Sequence, residues 1–354
     1  MGTGNKTGGR GQRAGIRKDK KTNARAGIFY ITENGLMLAH KIKMLYPDAE
    51  VLKFRQDRFT VRWRTSRKII CIMAAGIVVR TIAPLLQDKR TDPAVIVLDE
   101  KGRYAISLLS GHLGGANKLA RDIADFLGGH AVITTASDVQ GRISLDIWAD
   151  EHGLYVEDGK RLTHLSARMV NGKSVTVYTG NSIVMREVPG ELSIVTSSDK
   201  ADIIISEELF RRKALYLRPI NLFVGIGCNR GTTKDEIQKE FTALLKKNRL
   251  SVHSIAGIAS IDLKKDEGGL LEFAEDNRLR IRFFPADALN AVARELAMKG
   301  SEQVRAATGA VAVSEPAAVL AARQASDMVD IIIPKVKRGN VTLAIAKAKF
   351  MLSE

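Results

Sequence analysis

The sequence predicts an α/β protein: two α/β domains with a small central α+β segment. Three observations carry that prediction. Short apolar runs alternate with amphipathic stretches of helical spacing at both ends of the chain, the pattern of strands and covering helices. Glycine-rich junctions, "SGHLGGAN" (110–117) and "GIGCNRG" (225–231), follow apolar runs where a strand hands over to a helix. Between these regions lie several short β-rich segments separated by turn signals. The length of 354 residues suits two or three domains, and 45% hydrophobic residues suffice for real cores.

The elements follow in order. "AGIFYIT" (26–32) reads as a strand, and Asn34-Gly35 opens a helix through Met44. "VLKF" (51–54) and "KIICIM" (68–73) are strands, and Ala74-Ala75-Gly76 leads into a helix, "IVVRTIAPLL" (77–86). Pro84 predicts a kink or early end there, because proline removes a backbone donor and clashes with the preceding turn. "AVIVLD" (94–99) and "RYAISLLS" (103–110) are strands joined by Glu100-Lys101-Gly102, a hairpin signal. Ala116, Leu119, Ala120, Ile123 and Leu127 fall on one helical face, and "AVITT" (131–135) is the next strand. In the middle, "LDIWADEHG" and "KRLTHLSARMVNG" read as helices. "SVTVYT", "SIVMREV", "LSIVTS", "ADIIIS" and "ALYLRP" read as short strands.

The last domain opens with "LFVGIG" (222–227). "TTKDEIQKEFTALLKKN" has a threonine cap, acids in its first turn and lysines in its last, the order a helix dipole favours. "IAGIASID" precedes another helix, "LRIRFF" is a strand, and residues 286–299 and "SEPAAVLAARQA" are helical. "VDIIIPK" and "VTLAIAKAKF" are strands around a Lys-Arg-Gly turn. The implied division is a basic tail (1–26), an α/β domain (27–139), a central segment (140–219) and a second α/β domain (220–354).

The net charge is +16, of which residues 1–26 carry +7 and the rest +9. The tail reads as disordered and non-catalytic, and it lacks the apolar core of a secretory signal. A basic body attracts polyanions, either nucleic acid or a small molecule with many carboxylates or phosphates. Aromatics at 5% make a thin stacking surface for single strands. No apolar run approaches the roughly 20 residues of a membrane helix. Cys71 and Cys228 lie in separate apolar segments, which fits a reduced cytoplasmic protein without a disulfide framework.

Four motifs are candidates for chemistry. At 110–117, Ser110, Gly111, Gly114, Gly115 and Asn117 surround His112, one of six histidines. A helix N-terminus exposes backbone N–H groups to which glycines let an anion close; the alternative is a tight turn with a capping asparagine. In "GIGCNRG", Gly227, Cys228, Arg230 and Gly231 occupy a second such junction, one residue out of register with a dinucleotide fingerprint. Gly76 and Arg80 follow a buried strand, and Arg80 is either a carboxylate clamp or a solvated charge. In "ASIDLKKDEGGL", Ser260, Asp262, Lys264 and Glu267 cluster near a strand end, suited to acid–base work or to helix capping. Lys335 belongs to a basic run at a turn. The histidines show no metal-ligand spacing.

In combination these motifs resemble a known family. "MAAGIVVRTIAPLLQDKRTDPAVIVLDEKGRYAISLLSGHLGGANKLARDIADFLGGHAVITTASD" is similar to the N-terminal domain of CbiG, the cobalt-precorrin-5A hydrolases of anaerobic cobalamin biosynthesis. "VGIGCNRGTTKDEI", "IASIDLKKDEGGLLEFA", "RFFPADAL", "VSEPAAVLAA" and "IIIPKVKRGNVTLAIA" are similar to its C-terminal domain, shared with CobE. The resemblance covers nearly all of 27–350 and is weakest in the central segment. Ala75 stands where the family often has threonine, and "TGAVAVSEPAA" is a looser match.

The resemblance implies hydrolysis of a δ-lactone on a ring-contracted cobalt tetrapyrrole and release of acetaldehyde. No cofactor is implied, because cobalt arrives inside the substrate, and no metal site of the protein's own. In such a reaction His112 would act as base or proton shuttle and the N–H groups of Gly111, Gly114 and Gly115 would meet the oxyanion. Arg80, Arg230 and Lys335 would hold peripheral carboxylates, with Asp262 and Glu267 as alternative acid–base groups. Arg80, the 110–117 junction and "GIGCNRG" would together edge one tetrapyrrole cleft. The partner is then a small molecule, not nucleic acid or membrane. A homodimer and transient contacts with other corrin-pathway enzymes fit as well. The competing readings are a non-catalytic tetrapyrrole carrier and, on charge alone, a nucleic-acid binder.

Overall fold

A computed structural model of the chain describes residues 26–88, 91–111, 114–135, 143–180, 183–185, 189–298, 300 and 302–352. The basic tail through residue 25 and His112 therefore lie outside the described residues. The chain divides into two compact units, one around the N-terminal sheet and one holding the central and C-terminal sheets.

In the first unit, β1 (Gly27–Tyr30), β2 (Glu50–Lys53), β3 (Lys68–Ile72), β4 (Ala94–Leu98), β5 (Tyr104–Leu109) and β6 (His130–Val132) form a sheet of order β2-β1-β3-β4-β5-β6. All neighbours are parallel except β4 and β5, the expected hairpin. Gly102 makes its turn at φ +66. Strands β3 and β4 read as continuous apolar runs because helices cover both faces. On one face α1 (Glu33–Leu45) contributes Leu38, Ala39 and Ile42, and α4 (Ala116–Leu127) contributes Leu119, Ala120 and Ile123. On the other, α2 (Gln56–Thr65) contributes Phe59 and Trp63, and α3 (Ala75–Ile82) contributes Val78 and Ile82. Helix α2 was not legible in the sequence. It is arginine-rich, and only the i, i+4 pair Phe59 and Trp63 is buried, its rings stacked at 6.3 Å. Pro84 ends α3 as expected, turning the chain through a single 3-10 turn, Ala83–Leu85.

The second unit holds a sheet of order β10-β8-β11-β12-β7, from β7 (Leu154–Val156), β8 (Val175–Thr179), β10 (Leu192–Ile194), β11 (Ile203–Ile205) and β12 (Leu215–Pro219). In sequence, α5 (Leu145–Glu151) precedes β7 and clusters with the N-terminal unit, and α6 (Gly159–Val170) follows β7. The C-terminal sheet has the order β15-β14-β13-β17-β16. Its strands are β13 (Leu222–Cys228), β14 (Ile255–Ile261), β15 (Ile281–Phe284), β16 (Val329–Arg338) and β17 (Val341–Ala348). Helices α7 (Lys234–Lys247) and α8 (Gly268–Asp276) cover one face through Ile237, Phe241, Leu270 and Phe273. Helices α9 (Ala286–Glu295) and α11 (Ser314–Arg323) cover the other, and α10 (Glu302–Thr308) lies between them in sequence. Thr233 caps α7 as expected, its hydroxyl accepting the Glu236 N–H. Strand β16 runs beyond the predicted Lys335 to Arg338, passing Pro334. It is an edge strand, where proline leaves no ladder bond missing, and its register shifts there.

The central and C-terminal sheets are joined by buried polar contacts. Arg218 on β12 is 1% exposed. Its Nε donates to Glu157 Oε1 at 2.7 Å, and one terminal nitrogen donates to the Ser206 and Glu208 carbonyls. The guanidinium also lies over the Tyr216 ring. Glu157 accepts from the Ser251 hydroxyl as well, and Lys347 on β17 pairs with buried Glu207 at 2.9 Å. Finally, β18 (Phe350–Leu352) pairs in parallel with β9 (Ile183–Met185), returning the end of the chain to the central segment.

Candidate active site

In the C-terminal sheet, the sequence candidates gather at the carboxyl ends of β13 and β14, where open α/β sheets hold their ligands. Gly225 and Gly227 leave the β13 face bare. A methyl at Gly225 would overlap the Ser314 carbonyl and lie 2.9 Å from the Ala318 nitrogen, and one at Gly227 would meet Thr342 Oγ1 at 2.5 Å. Gly225 thus lets α11, whose Ala317, Ala318, Ala321 and Ala322 are buried, lie directly on the sheet. Ser260 is fully buried and donates to the Ile226 carbonyl at 2.6 Å, bridging β13 and β14. Its role in this structure is to tie strands together.

The loops leaving these two strands are cross-tied. Glu267 is 5% exposed; its Oε1 accepts the Gly231 N–H at 2.8 Å and its Oε2 accepts from Lys264 Nζ at 2.9 Å. Gly231 presents that N–H at φ +75. Arg230 donates to Asp266 Oδ2 at 2.9 Å and to the Leu263 carbonyl at 3.2 Å while its side chain stays largely exposed. Burial pushes the Glu267 carboxyl up. The Lys264 ammonium, the Gly231 N–H and the nearby positive charges outweigh it, so the acid lies below the ordinary glutamate range. The bond from Arg230 likewise lowers Asp266. Asp262 is half-buried, and its carboxylate has no hydrogen bond or ion pair among the described residues. Burial pushes the Cys228 thiol up, away from a reactive thiolate. Lys335 is exposed, and its backbone N–H donates to Glu315 on α11 at 3.0 Å.

The lowered Glu267 acid has a signed consequence. A carboxyl depressed in the folded state contributes stability that is complete above the unfolded glutamate range. That stability is lost as pH falls through the lowered folded value. Wild type should therefore unfold at higher urea than Glu267→Gln at neutral pH, and the gap should close below about pH 4. Equal gaps at pH 7 and pH 3 would show that the ionised pair is not its source.

In the first unit, the 110–117 junction has internal reasons for its glycines. A methyl at Gly111 would sit 2.7 Å from Asn117 Oδ1, and one at Gly114 would overlap Ser110. Gly115 takes φ +80 as the α4 cap, and Ser110 is itself at φ +57. Buried Asn117 accepts from the Ser107 hydroxyl at 2.6 Å and donates to Thr135 Oγ1 at 3.2 Å, tying together β5, α4 and the segment after β6. The Ala116 and Asn117 N–H groups bond to the Ser110 and Gly111 carbonyls, so two donors at the helix start are already taken. Gly111→Ala should cost about 1–3 kcal/mol by overpacking against Asn117, read as a lower urea midpoint. An unchanged midpoint would show that Asn117 can swing away.

One expected grouping is corrected. Gly76 follows β3 at the sheet end where Ile72 pairs with Leu98, whereas Ser110 lies beyond Leu109, which pairs with Val95. The hairpin reverses β5, so the 110–117 junction and Gly76 stand at opposite ends of the sheet. Arg80 does not close this distance. It is exposed and donates back to the Gly76 carbonyl at 3.1 Å on its own helix. The sequence also passed over Arg218, whose one visible signal was a single arginine inside the apolar run "ALYLRP".

Comparison with known proteins matches three family descriptions in chain order. They are "Cobalamin synthesis G N-terminal" over 57–138, "Cobalamin biosynthesis central region" over 143–219 and "Cobalamin synthesis G C-terminus" over 222–346. The chain belongs to the CbiG family. A CbiG relative from Priestia megaterium, a cobalt-precorrin-5A hydrolase, is 34% identical over 89% of this chain and 84% of its own. One from Salmonella typhimurium with the same name is 32% identical over 83% and 90%. A solved cobalamin biosynthesis protein G homolog from Sulfolobus solfataricus is 20% identical with a TM-score of 0.38, covering 93% of this chain and 98% of its own. This CbiG chain is a hydrolase of cobalamin synthesis. Among the described residues no helix is long and apolar enough to cross a membrane, and no group of three His, Cys, Asp or Glu could hold a metal ion.

Proposed function

We propose that this chain is a cobalt-precorrin-5A hydrolase. It opens the δ-lactone of the ring-contracted cobalt tetrapyrrole with water and releases acetaldehyde, giving cobalt-precorrin-5B. The observation that carries the reading is the 34% identity to a relative of that name across nearly the full length of both chains. The chemistry of the C-terminal strand ends supports it. Exposed Arg230 and Lys335 suit a substrate fringed with carboxylates, and Asp262 offers a carboxylate unoccupied by any described neighbour.

Lactone opening is acyl transfer to water, so it needs a proton acceptor near the water and donors toward the oxyanion. His112 is the proposed acceptor or shuttle. The alkoxide freed by ring opening collapses with cleavage of the adjacent carbon–carbon bond. The two-carbon fragment leaves as acetaldehyde, and the electron pair passes to the macrocycle. Cobalt enters as part of the substrate, and the protein works in the cytoplasm without a cofactor of its own. The purified protein should release acetaldehyde from cobalt-precorrin-5A in proportion to enzyme. His112→Ala should slow that release by about 10²–10⁴-fold. Unchanged release would remove His112 from the mechanism. Corrinoid binding without acetaldehyde from wild type would leave a carrier.

A further inference from the structure

The acidic run after β14 supplies two carboxylates that the sequence could not rank, Asp262 and Glu267. Their surroundings differ in kind. Glu267 is enclosed, and each of its oxygens has a partner, Gly231 N–H on one and the Lys264 ammonium on the other. Lys264 is itself buried, 8% exposed. To reach a reacting atom, Glu267 would have to abandon a backbone donor and a buried ammonium, leaving that ammonium uncompensated. Asp262 is half-buried, and no described group competes for it.

The bonds also have a direction. Gly231 and Arg230 belong to the loop after β13. Glu267, Lys264, Asp266 and Leu263 belong to the loop after β14. Three bonds run across, Gly231 N–H to Glu267, Arg230 to Asp266 and Arg230 to the Leu263 carbonyl. One of them starts from the residue next to Arg230. Fixing the Gly231 amide therefore fixes the backbone from which the guanidinium projects. A guanidinium has five N–H donors, and these bonds leave some for a ligand.

We propose that Glu267 and Lys264 form a positioning latch that holds the Arg230 loop for a substrate carboxylate, and that Glu267 takes no part in proton transfer. This rests on the hydrolase reading for its substrate, while the latch itself is a property of the chain. Loosening it costs orientation before chemistry, so the loss falls on substrate binding.

The test uses full-length protein, cobalt-precorrin-5A turnover and amide hydrogen exchange at Gly231. Glu267→Gln and Lys264→Met should each raise KM about tenfold or more, the worth of one charge-assisted bond, while kcat stays within about threefold and the pH profile keeps its shape. The double variant should lose no more than either single one, since both break the same tie. Exchange at Gly231 should quicken about tenfold in Glu267→Gln. Lys264→Arg, which keeps the ion pair, should restore KM and guards against a variant that simply misfolds. Asp262→Asn should show the opposite pattern, with kcat reduced and KM little changed. A fall in kcat with unchanged KM and a lost pH limb in Glu267→Gln would overturn the latch, as would unchanged exchange at Gly231. If wild type releases no acetaldehyde, the hydrolase reading fails, and the exchange measurement still decides the latch.

Discussion

Arg218→Met is expected to lower the stability of the second unit by about 3 kcal/mol, a shift of roughly 6–12 °C in its melting temperature for a unit of this size. The side chain is buried on β12. Glu157 loses its charged partner, and the Ser206 and Glu208 carbonyls lose their donor together. Breaking one side of a buried pair costs more than the pair contributes, because the remaining charge stays desolvated. Glu157 keeps some exposure and its Ser251 bond, which holds the figure at the lower end of the range. Adding Glu157→Gln should recover part of the loss. Calorimetry settles the matter: a melting temperature within about 2 °C of wild type would mean that the cluster is already hydrated.

Gly225→Ala is the second large effect, about 3 kcal/mol or more. The added methyl meets backbone, the Ser314 carbonyl and the Ala318 nitrogen, and backbone cannot rotate aside as a side chain can. Helix α11 would have to lift from β13, opening the alanine-lined contact beneath it. Gly268→Ala provides the contrast. Nothing lies within 4 Å of its added methyl, and alanine at a helix start should be neutral or gain a few tenths of a kcal/mol. Soluble yield and urea midpoint separate the two. Equal behaviour would show that α11 is not seated on Gly225 in solution.

The two α/β sheets were legible because their strands are fully covered. Ile69 to Ile72, Ala94 to Leu98 and Leu222 to Ile226 read as apolar runs whichever face they point to. Helix α2 was hidden because two aromatic residues carry its whole buried face among arginines, too few for a period to stand out. The central sheet was legible only as a set of short segments. Their order, with β12 between β11 and β7, depends on long-range pairing that no local signal encodes. The candidate site divides the same way. Glycine at 225 and 227 signals a close approach, and only the fold reveals that the visitor is a helix. Asp262 and Glu267 are five residues apart and chemically alike. Burial and partners, which a linear sequence does not display, give them different work.

The pairing of β18 with β9 sets a schedule for biosynthesis. Strand β9 leaves the ribosome long before its partner at 350–352 exists. At about 5–20 residues per second the wait is on the order of ten seconds. Lys347, which neutralises Glu207, arrives equally late. The N-terminal and central sheets can close from their own strands, whereas β9 waits for residues 350–352 to emerge. A nascent chain paused before these residues emerge would thus expose an unpaired strand and lack the Lys347–Glu207 ion pair. This late interval is when chaperone capture or premature cleavage of the protein would concentrate.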